Sequence, residues 1–425
     1  MPTAPWSWRR WSAKLNLMST NIRQYLLITG NYWAFTLTDG ALRMLVVLHF
    51  HQLGYSPLAI ASLFLFYELF GVITNLVGGW LGAKIGLNRT MNIGLALQIA
   101  ALLMLCVQAE LLTVFWVMCA QAISGIAKDL NKMSAKSAVK FLLPEHAQGK
   151  LYKWVAILTG SKNTLKGAGF FLGAGLLALL GFQQAMLAMA IALAVVWVIS
   201  LTCLGKDLGR ASNKPKFRQV FSKSRAINIL SVARLFLFGA RDVWFVVALP
   251  VYLSSVLEWS HWTVGSFLAC WVIGYGIIQA SAPAITGQRA ANTGNSRQVV
   301  AWGIPLALSA AIMALALHWG SPPAPTLIIG LMLFGALFAI NSSLHSYLIV
   351  SFANRDSASL DVGFYYMANA MGRLIGTLLS GWVYQSAGLQ ACLWLSAGFL
   401  FISVVAASRL QKQGQVTVPA NPTGS

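Results

Sequence analysis

Long apolar stretches separated by short polar ones dominate this chain. A window of about 19 residues finds them near residues 25 to 50, 57 to 81, 91 to 108, 111 to 134, 152 to 180 and 183 to 204, and, after a polar stretch, near 226 to 253, 263 to 284, 299 to 318, 325 to 351, 362 to 387 and 389 to 408. Each is long enough to cross a bilayer as a helix, which satisfies its own backbone hydrogen bonds where there is no water. The pattern predicts an all-α polytopic membrane protein. Its twelve transmembrane helices form two six-helix halves, 25–204 and 226–408, joined by a basic linker at 205–225 and flanked by tails at 1–24 and 409–425.

Composition narrows the class. Of 425 residues 57% are hydrophobic and 9% charged, where about 25% charged is usual for a soluble chain, and mean hydropathy is +0.68. So few charges cannot cover a water-exposed surface. A disordered chain, a disulfide scaffold and a nucleic-acid binder are excluded as well, the last despite a net charge of +20, because the basic residues are not clustered on a polar domain. The five cysteines, Cys106, Cys119, Cys203, Cys270 and Cys392, stand singly in apolar surroundings and read as small core residues. After Arg9 and Arg10 no apolar core of a signal peptide follows, so an interfacial tail with Trp6, Trp8 and Trp11 is expected, not a cleaved signal.

The basic residues set an orientation. Of the 30 Lys and Arg, eight lie inside the spans, and the other 22 all fall in the tails and the even-numbered connections. The linker alone, 205 to 226, carries seven against one acid, Asp207. By the positive-inside bias both termini are expected in the cytoplasm. A faint echo relates the stretch TDGALRMLVVLHF in the first half to GARDVWFVVALPVYL in the second, an Asp/Arg pair followed by an apolar run. Repeated six-span halves are a transporter signature.

Charges inside the spans are the candidate chemistry, because a charge at mid-bilayer is costly unless it faces a cavity or a partner. Spans 3, 6, 9 and 12 have none in their interiors, which suits lipid-facing helices. Counting inward at about 1.5 Å per residue places Asp39, Arg43, Glu68, Lys166, Arg241, Asp242 and Arg373 near mid-depth. Lys128, Asp129, Lys132, Lys162 and Arg234 lie toward the cytoplasmic half. Eight cations against four carboxylates leave a path charge of +4, which attracts an anion. Arg43, Lys128, Lys162, Lys166, Arg234, Arg241 and Arg373 are therefore the candidate substrate contacts, with Arg43, Lys166, Arg241 and Arg373 as an anion clamp. Asp39, Glu68, Asp129 and Asp242 are coupling or ion-pair candidates. Structural readings stand beside these: Asp39 and Arg43, four apart, can pair with each other, Asp242 can pair with an adjacent arginine, Lys132 can snorkel, and Glu68 can be a neutral buried carboxyl or a titrating one. His345, beside Asn341, Ser342, Ser343 and Ser346, is expected to line the path, and the histidines show no metal-ligand spacing.

After the second span the chain reads GGWLGAKIGLNRT, which resembles the loop signature of the major facilitator superfamily, with Gly79, Lys84, Gly86 and Arg89 at its glycine and basic positions. Ala83 stands where that signature has an acid and Leu87 where it has a base, so the gate must latch by other contacts. PEHAQG at 144 to 149 resembles a further family pattern, whereas SKNTLKGAG on the fifth span lacks the glycine-proline motif of multidrug exporters. The stretches TGNYWAFTLTDGALRMLVVLHFHQLGYSP, SGIAKDLNKMSAKSAVK and SKSRAINILSVARLFLFGARDVWFVVALPVYL are similar to the ArsJ family of organoarsenical efflux permeases, over about residues 21 to 408. That resemblance implies a non-enzymatic transporter of the bacterial inner membrane, a monomer without cofactor or metal, that works by alternating access and confers arsenate resistance. Its implied substrate is 1-arseno-3-phosphoglycerate, made when glyceraldehyde-3-phosphate dehydrogenase uses arsenate in place of phosphate. The alternative within transporters is an organophosphate/phosphate exchanger for sugar or glycerol phosphates. A membrane-embedded lipid transferase is the alternative from another class, and no His/Asp or paired-acid cluster supports it.

Overall fold

The computed structural model describes residues 6–55, 63–143, 147–205, 208–210, 224–287, 296–354 and 357–411. The first half holds α1 (Trp6–Gln52), α2 (Leu65–Ile85), α3 (Leu87–Met104), α4 (Val114–Leu142), α5 (Gln148–Leu180) and α6 (Phe182–Cys203). The second holds α7 (Arg225–Phe245), the short α8 (Ala248–Ser255), α9 (His261–Thr286), α10 (Ser296–His318), α11 (Pro323–Phe352) and α12 (Ala358–Gln411). Most of the central linker and the C-terminal tail lie outside the described residues.

Two breaks reconcile these elements with twelve rods. Pro250 has no N–H to give to the preceding turn, so α7 ends and α8 restarts as one interrupted rod. The freed Ala248 N–H donates to Ser380 Oγ at 3.1 Å. In α12, Gly388 adopts φ 75° and divides the helix into two limbs. Among the described residues seven helices are long and apolar enough to cross a membrane by length and composition alone. The others are α3, the short α8, and α1, α4 and α7, whose membrane-depth charges lower their hydropathy.

The two ends of the bundle are marked by side-chain contacts. Tyr25 stacks on Trp154 at 4.1 Å and donates to its carbonyl. His49 stacks on Phe182 at 4.1 Å at the other end. We call the end with Tyr25, which also carries the α2–α3 turn, the terminal face, and the other the distal face. Gly86 makes that turn at φ 97°, a conformation closed to side-chain-bearing residues, and the following Leu87 N–H donates to Leu208 of the linker at 2.8 Å.

Within each half the rods touch backbone to backbone. A Cβ on Gly169 would meet Leu37 O at 2.7 Å, joining α5 to α1. A Cβ on Gly376 would meet Gly239 O at 2.6 Å, joining α12 to α7 in the corresponding place of the second half. Small residues admit such approach where lipid supplies no hydrophobic driving force. Between the halves the contact is one-sided. One large buried apolar cluster mixes both halves and includes Tyr152, Leu230, Tyr347 and Tyr365, all toward the terminal face. Toward the distal face the first half has its own cluster around Phe35, Phe50 and Met186, and the second has its own around Trp244, Phe334 and Phe338. The halves are thus joined at the terminal face and separately packed toward the distal face. Outward-pointing side chains such as Ile191, Val195 and Val198 on α6 and Ile304, Leu308 and Ile312 on α10 form an exposed apolar girdle.

Candidate functional site

Halfway along the rods, five charged side chains run in alternation from one half to the other. Arg43 comes from α1, Glu68 from α2, Arg373 from α12, and Asp242 and Arg241 from α7. Glu68 Oε1 accepts from Arg43 Nη2 at 3.0 Å and from Arg373 Nη2 at 3.3 Å. Arg373 Nε donates to Asp242 Oδ2 at 3.0 Å, and Arg241 Nε donates to Asp242 Oδ1 at 2.6 Å. Three guanidiniums face two carboxylates, so the ladder keeps one positive charge in excess. Its middle is open: the side chains of Glu68 and Arg373 are 30% and 27% exposed, whereas that of Asp242 is fully enclosed.

Tyr67 organises the first-half side of this ladder. Its Oη donates to Asp39 Oδ1 at 2.6 Å, and its ring carries Arg43 at 3.9 Å and Lys128 at 3.7 Å, so one aromatic face system holds two cations in place. Asp39 and Arg43 therefore do not pair with each other, although their spacing allows it. Asp242 does hold the adjacent Arg241.

Below the ladder, α4 carries lysines at 128, 132, 136 and 140, four apart, which puts them along one side of the helix with about 6 Å of rise between neighbours. Asp129 binds Lys132 and lies 3.8 Å from Lys128. Lys136 Nζ donates to Tyr366 Oη at 2.5 Å and Lys140 Nζ to the Ser351 carbonyl at 2.9 Å, both across the boundary between the halves. The hydrophobic pattern ends this span near 134, but the helix runs to Leu142. Lys136 and Lys140 thus belong to the helix, not to a connection.

From the second half Arg234 reaches toward the same level. Its Nε donates to Asn369 Oδ1 at 2.9 Å and its Nη1 to Ser342 O at 3.2 Å and Oγ at 3.1 Å, with the guanidinium 4.0 Å over the Phe238 ring. Ser342 Oγ also accepts from Gln279, which in turn accepts from Asn163 of α5 at 2.6 Å. Lys162 and Lys166 on α5 are half-buried, and among the described residues neither forms an ion pair or a side-chain hydrogen bond. His345 is 0% exposed, and neither ring nitrogen has a partner among the described residues.

The gate positions lie at the terminal face. Ala83, where an acid was expected by resemblance, is 1% exposed and packs on Leu360 of the other half. A Cβ on Gly79 would meet Ser359 O at 2.7 Å and Gly363 Cα at 3.1 Å, so α2 and α12 touch through glycine. The α5–α9 pair repeats the arrangement, because a Cβ on Gly160 would meet Gly276 O at 2.5 Å. Lys84 lies 4.5 Å over the Trp80 ring, and Arg89 is exposed. Sequence reasoning passed over Tyr67, Lys136, Tyr366 and Asn369. The four-residue lysine spacing was a visible signal for Lys136; the tyrosines and Asn369 had none, because their partners are distant in sequence.

The sequence matches the family model described as Major Facilitator Superfamily over residues 26–293 and again over 235–423. No curated protein sequence matches the chain. Among solved structures, the human organic anion transporter MFSD10 (TETRAN) superposes with a TM-score of 0.71 at 17% identity, covering 91% of this chain and 99% of that one. The proton:xylose symporter XylE gives 0.73 at 13% identity, covering 93% and 96%. The transporter FucP in the outward conformation gives 0.73 at 14% identity, covering 92% and 99%.

Proposed function

We propose, from the premise that this chain belongs to the major facilitator superfamily and is a multi-pass membrane transporter of a small molecule, that it exports an organic anion bearing arsenate and phosphate groups, 1-arseno-3-phosphoglycerate. The observation that carries this reading is the unbalanced charge of the path. Counting Lys136, nine cations face four carboxylates along it, and Lys162, Lys166, Lys136 and Arg234 have no carboxylate in ion-pair contact among the described residues. Buried cations without counter-charge are costly, and a multiply charged anion is the ligand that offsets them.

The chemistry of the side chains supports a pentavalent oxyanion. Guanidiniums grip arsenate or phosphate by paired hydrogen bonds, and lysines add point charge. Arg43, Lys166, Arg241 and Arg373 form the clamp at mid-depth, with Lys128, Lys162 and Arg234 on the approach. The distribution of basic residues supports placing the terminal face and both chain ends in the cytoplasm of a bacterial inner membrane. The arrangement of the halves then corresponds to the state that releases substrate outward, with the cytoplasmic side closed. Expelling each negative charge from an inside-negative cell gains about 2.3 kcal/mol per 100 mV, so export can run on potential and gradient alone. Glyceraldehyde-3-phosphate dehydrogenase is the functional partner, as source of the substrate.

Everted membrane vesicles test the reading. With glyceraldehyde-3-phosphate dehydrogenase, its substrates and arsenate outside, vesicles containing the protein should accumulate arsenate, and omitting the dehydrogenase should abolish this. Equal accumulation of arsenate without the dehydrogenase would refute the organic substrate. Phosphate-driven exchange of glycerol 3-phosphate would establish the exchanger instead. Reporter fusions at Ser321 and after Lys214 test the orientation, and an external signal at Lys214 would reverse it.

A further inference from the structure

Closer to the terminal face than the charge ladder lie two enclosed cations, Lys136 and Arg234, that no acid contacts among the described residues. Lys136 is 3% exposed and Arg234 2%. Lys136 is bonded to a phenol, and Arg234 to an amide, a hydroxyl and a carbonyl, all neutral. The charged groups that act on Lys136 are Lys162, Arg234 and Lys132, every one positive. Asp129 is already engaged by Lys132 and Lys128. An enclosed ammonium with only cationic neighbours is costly, and a protein retains one where a ligand supplies the missing charge.

The surroundings keep bonding capacity in reserve. Among the described residues Lys136 has one hydrogen-bond acceptor for three donors, and Arg234 Nη2 has none. Both nitrogens of His345 and Tyr365 Oη are enclosed without hydrogen-bond partners among the described residues. Arg234 acts electrostatically on His345, and Tyr365 lies 5.3 Å under its guanidinium. Buried polar groups are bonded as a rule, so these orphans beside Arg234 and Lys136 leave bonding capacity that a polar, negatively charged guest would use.

We propose that Lys136, Arg234 and Lys162, with Tyr366 and His345, form a second anion subsite, distinct from the mid-depth ladder, and that the transporter selects short organic anions with an oxyanion at each end. Along α4 the level of Lys136 is about 12 Å from that of Lys128 at the ladder. Lys162 lies between, acted on by Lys132, Arg373 and Lys128 and, least of the charged groups, by the carboxylate of Asp39. One charged end then occupies Arg43, Lys166 and Arg373 while the other occupies Lys136 and Arg234. A molecule charged at one end leaves one cluster uncompensated. This inference rests on the reading of the chain as an anion transporter.

The test uses the purified full chain in lipid nanodiscs, titrated with glycerol 3-phosphate, charged at one end, and 3-phosphoglycerate, charged at both. The wild type should bind 3-phosphoglycerate at least about tenfold more tightly. Lys136→Gln should reduce that preference to less than about twofold by weakening 3-phosphoglycerate far more than glycerol 3-phosphate, and Lys136→Arg should restore the preference. Without ligand, Lys136→Gln should melt no lower than wild type, because it removes repulsion among the cations while its amide can still donate to Tyr366 Oη. Retention of the preference in Lys136→Gln, or equal loss for both probes with a lowered melting temperature, would overturn the subsite. A wild type that binds both probes equally would overturn it while leaving anion transport standing. A wild type that binds neither would overturn both.

Discussion

Glu68 is an internal competitor for the anion, and its neutralisation gives the sharpest prediction. Its Oε1 lies 3.0 Å from Arg43 Nη2 and 3.3 Å from Arg373 Nη2, the donors that the proposed clamp would offer to an oxyanion. At an effective dielectric of about 20, a charge pair 4 Å apart is worth about 4 kcal/mol before desolvation, whereas exposed pairs retain about 0.2–1 kcal/mol when measured. With side chains 19% to 30% exposed these contacts lie between those limits, and we take ~1.4 kcal/mol for the pair of contacts, or about tenfold in affinity. Glu68→Gln should therefore tighten binding of 3-phosphoglycerate about tenfold and slow turnover, because the anion no longer has a carboxylate to hand the arginines back to on release. The assay is a titration in nanodiscs beside counterflow in proteoliposomes, with Arg373→Gln as the second arm of a double-mutant cycle. The double variant should lose most of the gain. Unchanged or weaker binding by folded Glu68→Gln would refute competition and show that Glu68 only positions the arginines.

Other substitutions follow from the same geometry. Gly79→Val adds a side chain where even a Cβ meets Ser359 O at 2.7 Å, so it should part the halves at the terminal face; spin labels at Arg89 and Asn354 should move apart, and an unchanged distance would refute the seam. Ala83→Asp buries a carboxylate against Leu360, a cost on closure above the ~1–3 kcal/mol of a neutral polar group; transport rate should fall with affinity nearly unchanged, and a large loss of affinity would count against this. Arg241→Lys and Arg373→Lys should weaken arsenate resistance by loss of the forked donors, Lys166→Arg should be milder and Lys166→Ala severe. Full resistance in well-expressed Lys166→Ala, Arg241→Ala and Arg373→Ala variants would show that these residues are not the clamp.

The rods were legible because hydrophobic runs of membrane length have few other uses. Which spans carry charge was equally plain. The pairings were not: Glu68 and Arg373 meet across the two halves, 305 residues apart in sequence, and only the fold brings them together. Local spacing suggested Asp39 with Arg43, and Tyr67 displaced that pairing by offering Asp39 a neutral donor. The end of α4 was misread for a related reason. KMSAKSAVK looks like a polar connection by hydropathy, yet its lysines are turned toward a tyrosine and a carbonyl of the other half, so the helix continues inside the protein. The breaks at Pro250 and Gly388 needed backbone angles to locate.

The glycine seams between α2 and α12 and between α5 and α9 bear on how the protein can hold two shapes of nearly equal free energy. Where backbones meet with no side chains between them, separation uncovers hydrogen-bonded peptide groups and little apolar surface, and the penalty scales with apolar area at about 25 cal/mol per Å². These seams are firm stops against over-closure but weak adhesives. A carrier must leave each shape many times a second, and a partner that favoured one by about 5.5 kcal/mol would hold it there almost permanently. Glycine at Gly79, Gly160, Gly276 and Gly363 therefore adds little bias of its own, and the hold between the halves at the terminal face rests on the apolar cluster they share.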